Sequence, residues 1–238
     1  AERQKIQAPF GTGNFSSSTH SSRANRMNPR RSTIDVSDLP PSALDHRSPI
    51  WIGNALLLAI ETTMFAILVA TYFYLRQNFG SWPPPQVNFF PPNFHPAPDL
   101  FWGVLNLLVI LAATFSMLYA DLGALKFDAK RVLVGTALTV LLGILAIVLR
   151  FREFHGTHFR WDDNAYASVV WAILIMHLLH LMVGISEDGF MLFYIRKYGM
   201  DDKHARDVRV TAVYWYWIGG IWLPLFSIVY FAPFWLNK

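Results

Sequence analysis

From Pro49 onward the chain alternates between long uncharged stretches and short polar ones. Ile50 to Leu75 holds one ionised-type residue, Glu61. Leu100–Ala120, Val132–Leu149, Asn164–Ser186 and Val210–Asn237 hold no Asp, Glu, Lys or Arg, and the fourth stays apolar through Ile195. Each stretch is near or above the ~18–20 residues a helix needs to cross a hydrocarbon core. Lipid offers no partner to an open strand edge, so spans of this kind are helical. The pattern predicts an all-α fold, a bundle of five transmembrane helices over about residues 50–76, 100–121, 131–150, 164–195 and 209–235. The third span places Gly135, Thr139 and Gly143 at four-residue intervals, which puts small residues on one face where another helix can approach closely. Tyr and Trp collect at span ends, among them Trp51, Tyr72, Trp161, Tyr166 and Trp235, as an interfacial belt requires.

Residues 1–48 are different material. "GTGNFSSSTHSSRANRMNPRRSTIDVSDLPPSALDHRSP" is rich in Ser, Arg, Asn and Pro with no apolar periodicity, which predicts an irregular polar tail. It lacks the apolar run of a secretory signal. The domain division is therefore a tail at 1–48 and a membrane domain at 49–238. Between the first two spans, seven prolines fall from Pro83 to Pro98. Proline fixes its own φ and removes a donor, so this loop should be extended and stiff, suited to docking or to capping its own helices.

Composition agrees. The chain is 53% hydrophobic and 15% charged with a mean hydropathy of +0.30, against roughly 25% charged in a soluble domain. It has no cysteine, which removes disulfides, thiolate copper centres and iron–sulfur clusters from this chain. Most of the 20 Lys and Arg residues fall in the tail and in the loops after the second and fourth spans, including Lys126, Lys130, Arg131, Arg196, Lys197 and Arg209. By the positive-inside rule the N-terminus lies inside and the C-terminus outside.

Candidate chemistry is sparse. His177 and His180, in "MHLLHLMVG", are the only histidines well inside a span. They share a helical side, but no other span opposes them with a histidine, so interhelical hydrogen bonding is the expected role rather than haem or metal ligation. The loop "REFHGTHFRWDD" gathers Glu153, His155, His158, Asp162 and Asp163. Its loose spacing and interleaved arginines suit a solvated loop better than zinc. No phosphate loop, nucleophile elbow or zinc-protease pattern occurs, and no matched halves with broken helices suggest a transporter. No catalytic or metal residue is assigned, and no nucleic-acid partner is expected.

Two polar features stand out. Glu61 lies ~15 Å above Trp51 by helical rise, near mid-membrane, where a carboxyl must face protein or water and be protonated or paired. Glu187 and Asp188 interrupt the fourth span at what its rise suggests is a similar depth. Glu61, His177, His180 and Glu187 are therefore candidates either for a proton path or for buried structural hydrogen bonds. Arg47, Trp51, Arg196, Lys197 and Arg209 combine basic and aromatic side chains on one rim, a candidate site for an anionic phospholipid headgroup.

In order and spacing these motifs resemble subunit III of the haem–copper cytochrome c and quinol oxidases. "ETTMFAILVATYFYLR" from Glu61 resembles that family's intramembrane glutamate. Trp82–Pro85 and His95–Pro96 resemble its first outer loop, Leu105–Asn106 the start of its next helix, and Arg152–Phe154 its glutamate–aromatic step. "HLLHLMVG" at His177, His180 and Gly184 is similar to its paired-histidine motif. "YWYWIGGIWLPLFSIVY", with Tyr214, Trp215 and Trp222, is similar to its last helix. That helix usually carries a histidine and an aspartate where Tyr216 and Gly219 stand here, and many relatives have seven helices rather than this five-helix form. The resemblance implies an accessory, non-redox subunit of a respiratory terminal oxidase that reduces O2 to water and pumps protons. Haem and copper are then expected in partner subunits, with subunit I the main contact and subunit II also present in a hetero-oligomer. This chain would bind phospholipid, support proton uptake and stability, and reside in a bacterial inner membrane or equivalent respiratory membrane. The electron donor favoured is cytochrome c. A quinol oxidase or nitric oxide reductase component, or a stand-alone transporter or lipid-binding scaffold, are the alternatives.

Overall fold

In the computed structural model the described residues are 49–84 and 98–235, all within the compact unit that spans Pro40–Lys238. The expected tail, Arg47 and the His95–Pro96 pair lie outside the described residues, as does most of the proline-rich loop. The regular structure among the described residues is helical: α1 Pro49–Gln77, α2 Leu100–Ala124, α3 Ala129–His155, α4 Ala165–Tyr198, α5 Asp202–Tyr230 and the single turn α6 Ala232–Trp235. The first five are long and apolar enough to cross a membrane. The protein is an all-α integral membrane bundle.

Local chemistry starts and stops these helices. The Asp128 carboxylate accepts the Lys130 and Arg131 backbone N–H groups at the start of α3. Asn164 does the same for Ala167 N–H on α4, and Asp201 for His204 N–H on α5. Each satisfies a donor that the first turn leaves without a partner. Gly199, with φ of 82°, ends α4 in the left-handed region that glycine adopts freely.

Two boundaries differ from expectation. α3 continues to His155, past the expected stop at residue 150, because Arg150 and Glu153 satisfy each other one turn apart inside the bundle. α5 begins at Asp202, well before the expected start near 209, because the Asp201 cap extends it by two polar turns.

α2 packs most extensively on α3, and α4 and α5 pack on each other and on this pair, whereas α1 rests chiefly on α4 and α5. The four-residue stripe on α3 divides its contacts. Gly135 lies against the Ala120 backbone of α2, close enough that an added Cβ would meet Ala120 N at 2.8 Å. The Gly135 carbonyl accepts Ser116 Oγ at 2.9 Å, and Thr139 faces the same helix through the Ala113 carbonyl. Gly143 instead meets Ile185 of α4 and Trp215 of α5. Four residues advance an α-helix by 400°, so a four-residue stripe drifts about 40° per step and passes from one neighbour to the next. α1 buries only Phe65 and Tyr72. Tyr72 joins an aromatic cluster with Tyr166 and Trp82, whose indole N–H donates to the Tyr72 hydroxyl at 3.0 Å.

Candidate functional site

The two histidines of α4 belong to two separate polar assemblies. The first lies where α3 passes to α4. Glu153, assigned by sequence to a solvated loop, is fully buried on the last turns of α3. Its Oε2 accepts Arg150 Nη1 at 2.7 Å and Asn106 Nδ2 at 2.9 Å, and its Oε1 accepts the Tyr230 hydroxyl. Three donors from α2, α3 and α5 meet one carboxylate, the condition under which a buried charge is tolerated. Arg150, also fully buried, directs Nη2 to His177 Nδ1 at 3.2 Å and lays its guanidinium 4.1 Å from the centre of the Trp222 ring. Arg150 Nε and Asn106 Oδ1 find no protein partner among the described residues.

Donor logic fixes the state of His177. A guanidinium has no acceptor, so Nδ1 must accept. The Ile218 carbonyl, 3.2 Å from Nε2, cannot donate, so Nε2 carries the proton. His177 is thereby held as one neutral tautomer, with both nitrogens used.

The second assembly joins α1 to α4. Glu61 Oε2 lies 2.8 Å from His180 Nε2, while His180 Nδ1 lies 2.6 Å from the Met176 carbonyl. The carbonyl can only accept, so Nδ1 carries a proton. The bond to Glu61 then needs one further proton, on either the carboxyl or the imidazole. Two forms meet that requirement, carboxylate with imidazolium or acid with imidazole. Phe65 and Trp217 enclose the imidazole at 5.1 and 5.3 Å between ring centres. Trp217 Nε1 donates to Thr62 at 2.8 Å, and the Tyr214 hydroxyl donates to the His180 carbonyl at 3.3 Å. The two histidines, grouped by sequence, thus belong to different assemblies: three residues rotate a helix by 300°, so His177 turns to Arg150 and α5 and His180 to α1.

Glu187 departs from the expectation of equal depth with Glu61. It shares a cavity with Ile50, Gly53, Asn54 and Leu57 of α1, below Glu61 along that helix and ~10 Å from His180 by the rise of α4. Asp188 is fully buried, its Oδ2 accepting the Trp215 indole N–H at 2.7 Å and its Oδ1 without a partner.

On the proposed lipid rim, Arg209 is engaged with Asp121, Nε to Oδ1 at 3.1 Å, and Tyr216 donates to the same carboxylate at 3.0 Å. The Arg209 guanidinium stands 5.7 Å from the Trp51 ring centre. Its charge is therefore already matched within the bundle. Arg196 and Lys197 are exposed on the last turn of α4, with Lys197 Nζ over the Tyr198 ring at 5.1 Å. In the loop after α3, His158 pairs with Asp99 at 3.1 Å and Arg160 with Asp162 at 3.2 Å. Among the described residues no three His, Asp or Glu side chains group as ligands to a metal.

Sequence reasoning missed Arg150 and gave Asn106 and Tyr230 no role in a site. The available signal was local: an Arg and a Glu three apart at the end of an apolar run, and a lone amide in the second span.

The fold and site define a five-helix membrane bundle that buries ionisable groups between its helices. Residues 45–235 match the family model for cytochrome c oxidase subunit III, and the chain belongs to that family. It is similar to the cytochrome c oxidase subunit 3 of Lachancea kluyveri, 25% identical over 189 residues that cover 77% of this chain and 68% of the relative. It is similar to the probable cytochrome c oxidase subunit 3 of Rickettsia conorii, 25% identical over 205 residues, 78% and 69% of the two chains. A probable cytochrome c oxidase subunit 3 of Mycobacterium bovis is 26% identical over 195 residues, 79% of this chain and 91% of that one.

Proposed function

We propose that this chain is the non-redox subunit III of a respiratory terminal oxidase that reduces O2 to water and pumps protons. It sits against subunit I and subunit II, which hold the haem and copper, with cytochrome c as the electron donor. Its N-terminus is inside and its C-terminus outside. The observation that carries the reading is the family match across all five membrane helices.

The two polar assemblies divide the work. The Arg150–Glu153–Asn106–Tyr230–His177 network ties four helices together and serves stability. The Glu61–His180 pair, which shares one proton, serves proton supply to the partner. Trp51, Lys197 and Arg196 offer a phospholipid headgroup an aromatic and cationic rim, where each basic charge contributes roughly 1 kcal/mol. Arg209 contributes less, since Asp121 already neutralises it.

Purification in mild detergent through a tag on this chain, followed by a visible spectrum, tests the assignment. Haem absorbance that comigrates with the chain is the expected result. A chain that migrates alone, with no haem-bearing partner, overturns it.

A further inference from the structure

Glu187 has no part in either assembly, and it stands where two cavities meet. One, of about 420 Å³, lies between α4 and α5 with Lys203, His204 and Asp207 at its polar end. The other, of about 330 Å³, is bounded by Asn54 and Leu57 of α1 and Tyr214 of α5. Ile50, Glu187, Val210 and Thr211 line both. Space of this size holds on the order of ten waters at about 30 Å³ each. The second cavity reaches Leu57, one helical turn or ~6 Å short of Glu61, and Tyr214, whose hydroxyl bonds the His180 carbonyl.

We infer that Glu187 is the inlet group of a water-filled proton path running from the α4–α5 end of the bundle to the Glu61–His180 pair. This rests on the proton-supply reading above and names its source. The Glu187 carboxylate takes a proton from water at the mouth and releases it to water in the second cavity. The Glu61–His180 pair accepts it, becoming acid plus imidazolium, and gives one proton onward. Only O–H and N–H bonds form and break, and one proton moves per cycle. The ionisable groups facing Glu187 in the cavities are Lys203, His204, Asp207 and Tyr214 from α5 and Tyr194 from its own helix, while α1 contributes Asn54 and no ionisable side chain. Asp188 is turned away, onto Trp215. The α5 end is thus a mixed-charge rim able to gather protons, and Glu187 is the carboxylate that both cavities share.

The test uses the assembled oxidase with Glu187→Gln, Glu187→Asp and Asn54→Leu, the last crowding the water while leaving the carboxylate. O2 turnover is measured from low to high pH, alongside haem content, subunit retention and Glu61→Gln. Where proton supply limits the rate, Glu187→Gln and Asn54→Leu should lower turnover at least about threefold at high pH and leave it unchanged at low pH, and Glu187→Asp should restore it. If Gln prevents assembly, the Asn54→Leu profile decides alone. Loss that is equal at every pH assigns Glu187 a structural role and overturns the inlet. Profiles that match the wild type while Glu61→Gln does not mean the pair is fed from elsewhere. A silent Glu61→Gln overturns the proton-supply reading itself, and the inlet with it.

Discussion

The two polar assemblies meet α4 less than one turn apart, at His177 and His180, and are built on opposite terms. Around Glu153 the helices are drawn together by hydrogen bonds from α2, α3 and α5, and the charged groups are fully buried. Around Glu61 the packing is looser. α1 touches chiefly α4 and α5, the Glu61 and His180 side chains keep 22% and 10% of their surface exposed, and cavities open one turn away. The difference teaches what each can do. The Glu153 carboxylate is held by three donors, one of them a buried guanidinium. The Glu61 carboxyl has one hydrogen-bond partner, His180, a side chain that can itself carry the proton.

Removing one charge from the tight assembly should have the largest effect. Arg150→Met leaves Glu153 buried without its cation, a loss on the order of 3–5 kcal/mol. The double variant Arg150→Met with Glu153→Gln should recover a large part of it, because no buried charge remains unpaired. Thermal denaturation in detergent of the four proteins of the cycle measures the coupling. Additive losses would show that the pair is not the fastening it is taken to be.

The α2–α3 seam should come next. A Cβ on Gly135 meets Ala120 backbone, which cannot swing aside, so Gly135→Val should destabilise by about 1–3 kcal/mol. Gly53, whose Cβ would meet nothing within 4 Å, provides the control on the loosely packed helix. Gly53→Ala should be tolerated in the same melt.

At Glu61 the two substitutions should separate charge from shape. Glu61→Gln keeps a hydrogen bond to His180 and should assemble with haem intact, while turnover falls at high pH. Glu61→Ala leaves His180 Nε2 without a partner and should loosen the subunit by about 1–3 kcal/mol. Subunit retention in detergent reads the second effect, and activity against pH the first.

The smallest effect is expected outside the membrane. The His204 backbone N–H donated to Asp201 holds the Asp201 carboxyl below the usual carboxylate range, and the His204 ring adds to it. A lowered folded value means the cap's contribution is complete above the unfolded value near ~3.9 and is lost as pH falls through the folded one. Amide hydrogen exchange over the first turn of α5 should quicken only in acid. Asp201→Asn, which keeps a capping oxygen, should remove that pH dependence.

The sequence by itself determined the number of spans, the all-helical class and the resemblance to oxidase subunit III. Five uncharged stretches each match the thickness of a bilayer, and lipid leaves the backbone of such a stretch no choice but helix. It also marked Glu61 and His180 as polar groups in need of partners, since each stands in an otherwise apolar run. It did not show that they partner each other. That pairing, the separate fate of His177, and the burial of Arg150 and Glu153 were decided only in the tertiary structure. A charge at the end of an apolar run reads as the start of a loop unless the partners that receive it are known, and those partners, Asn106, His177 and Tyr230, come from three other helices. Periodicity gives the angle at which a side chain leaves its own helix. Which neighbour stands at that angle is set by how the helices pack.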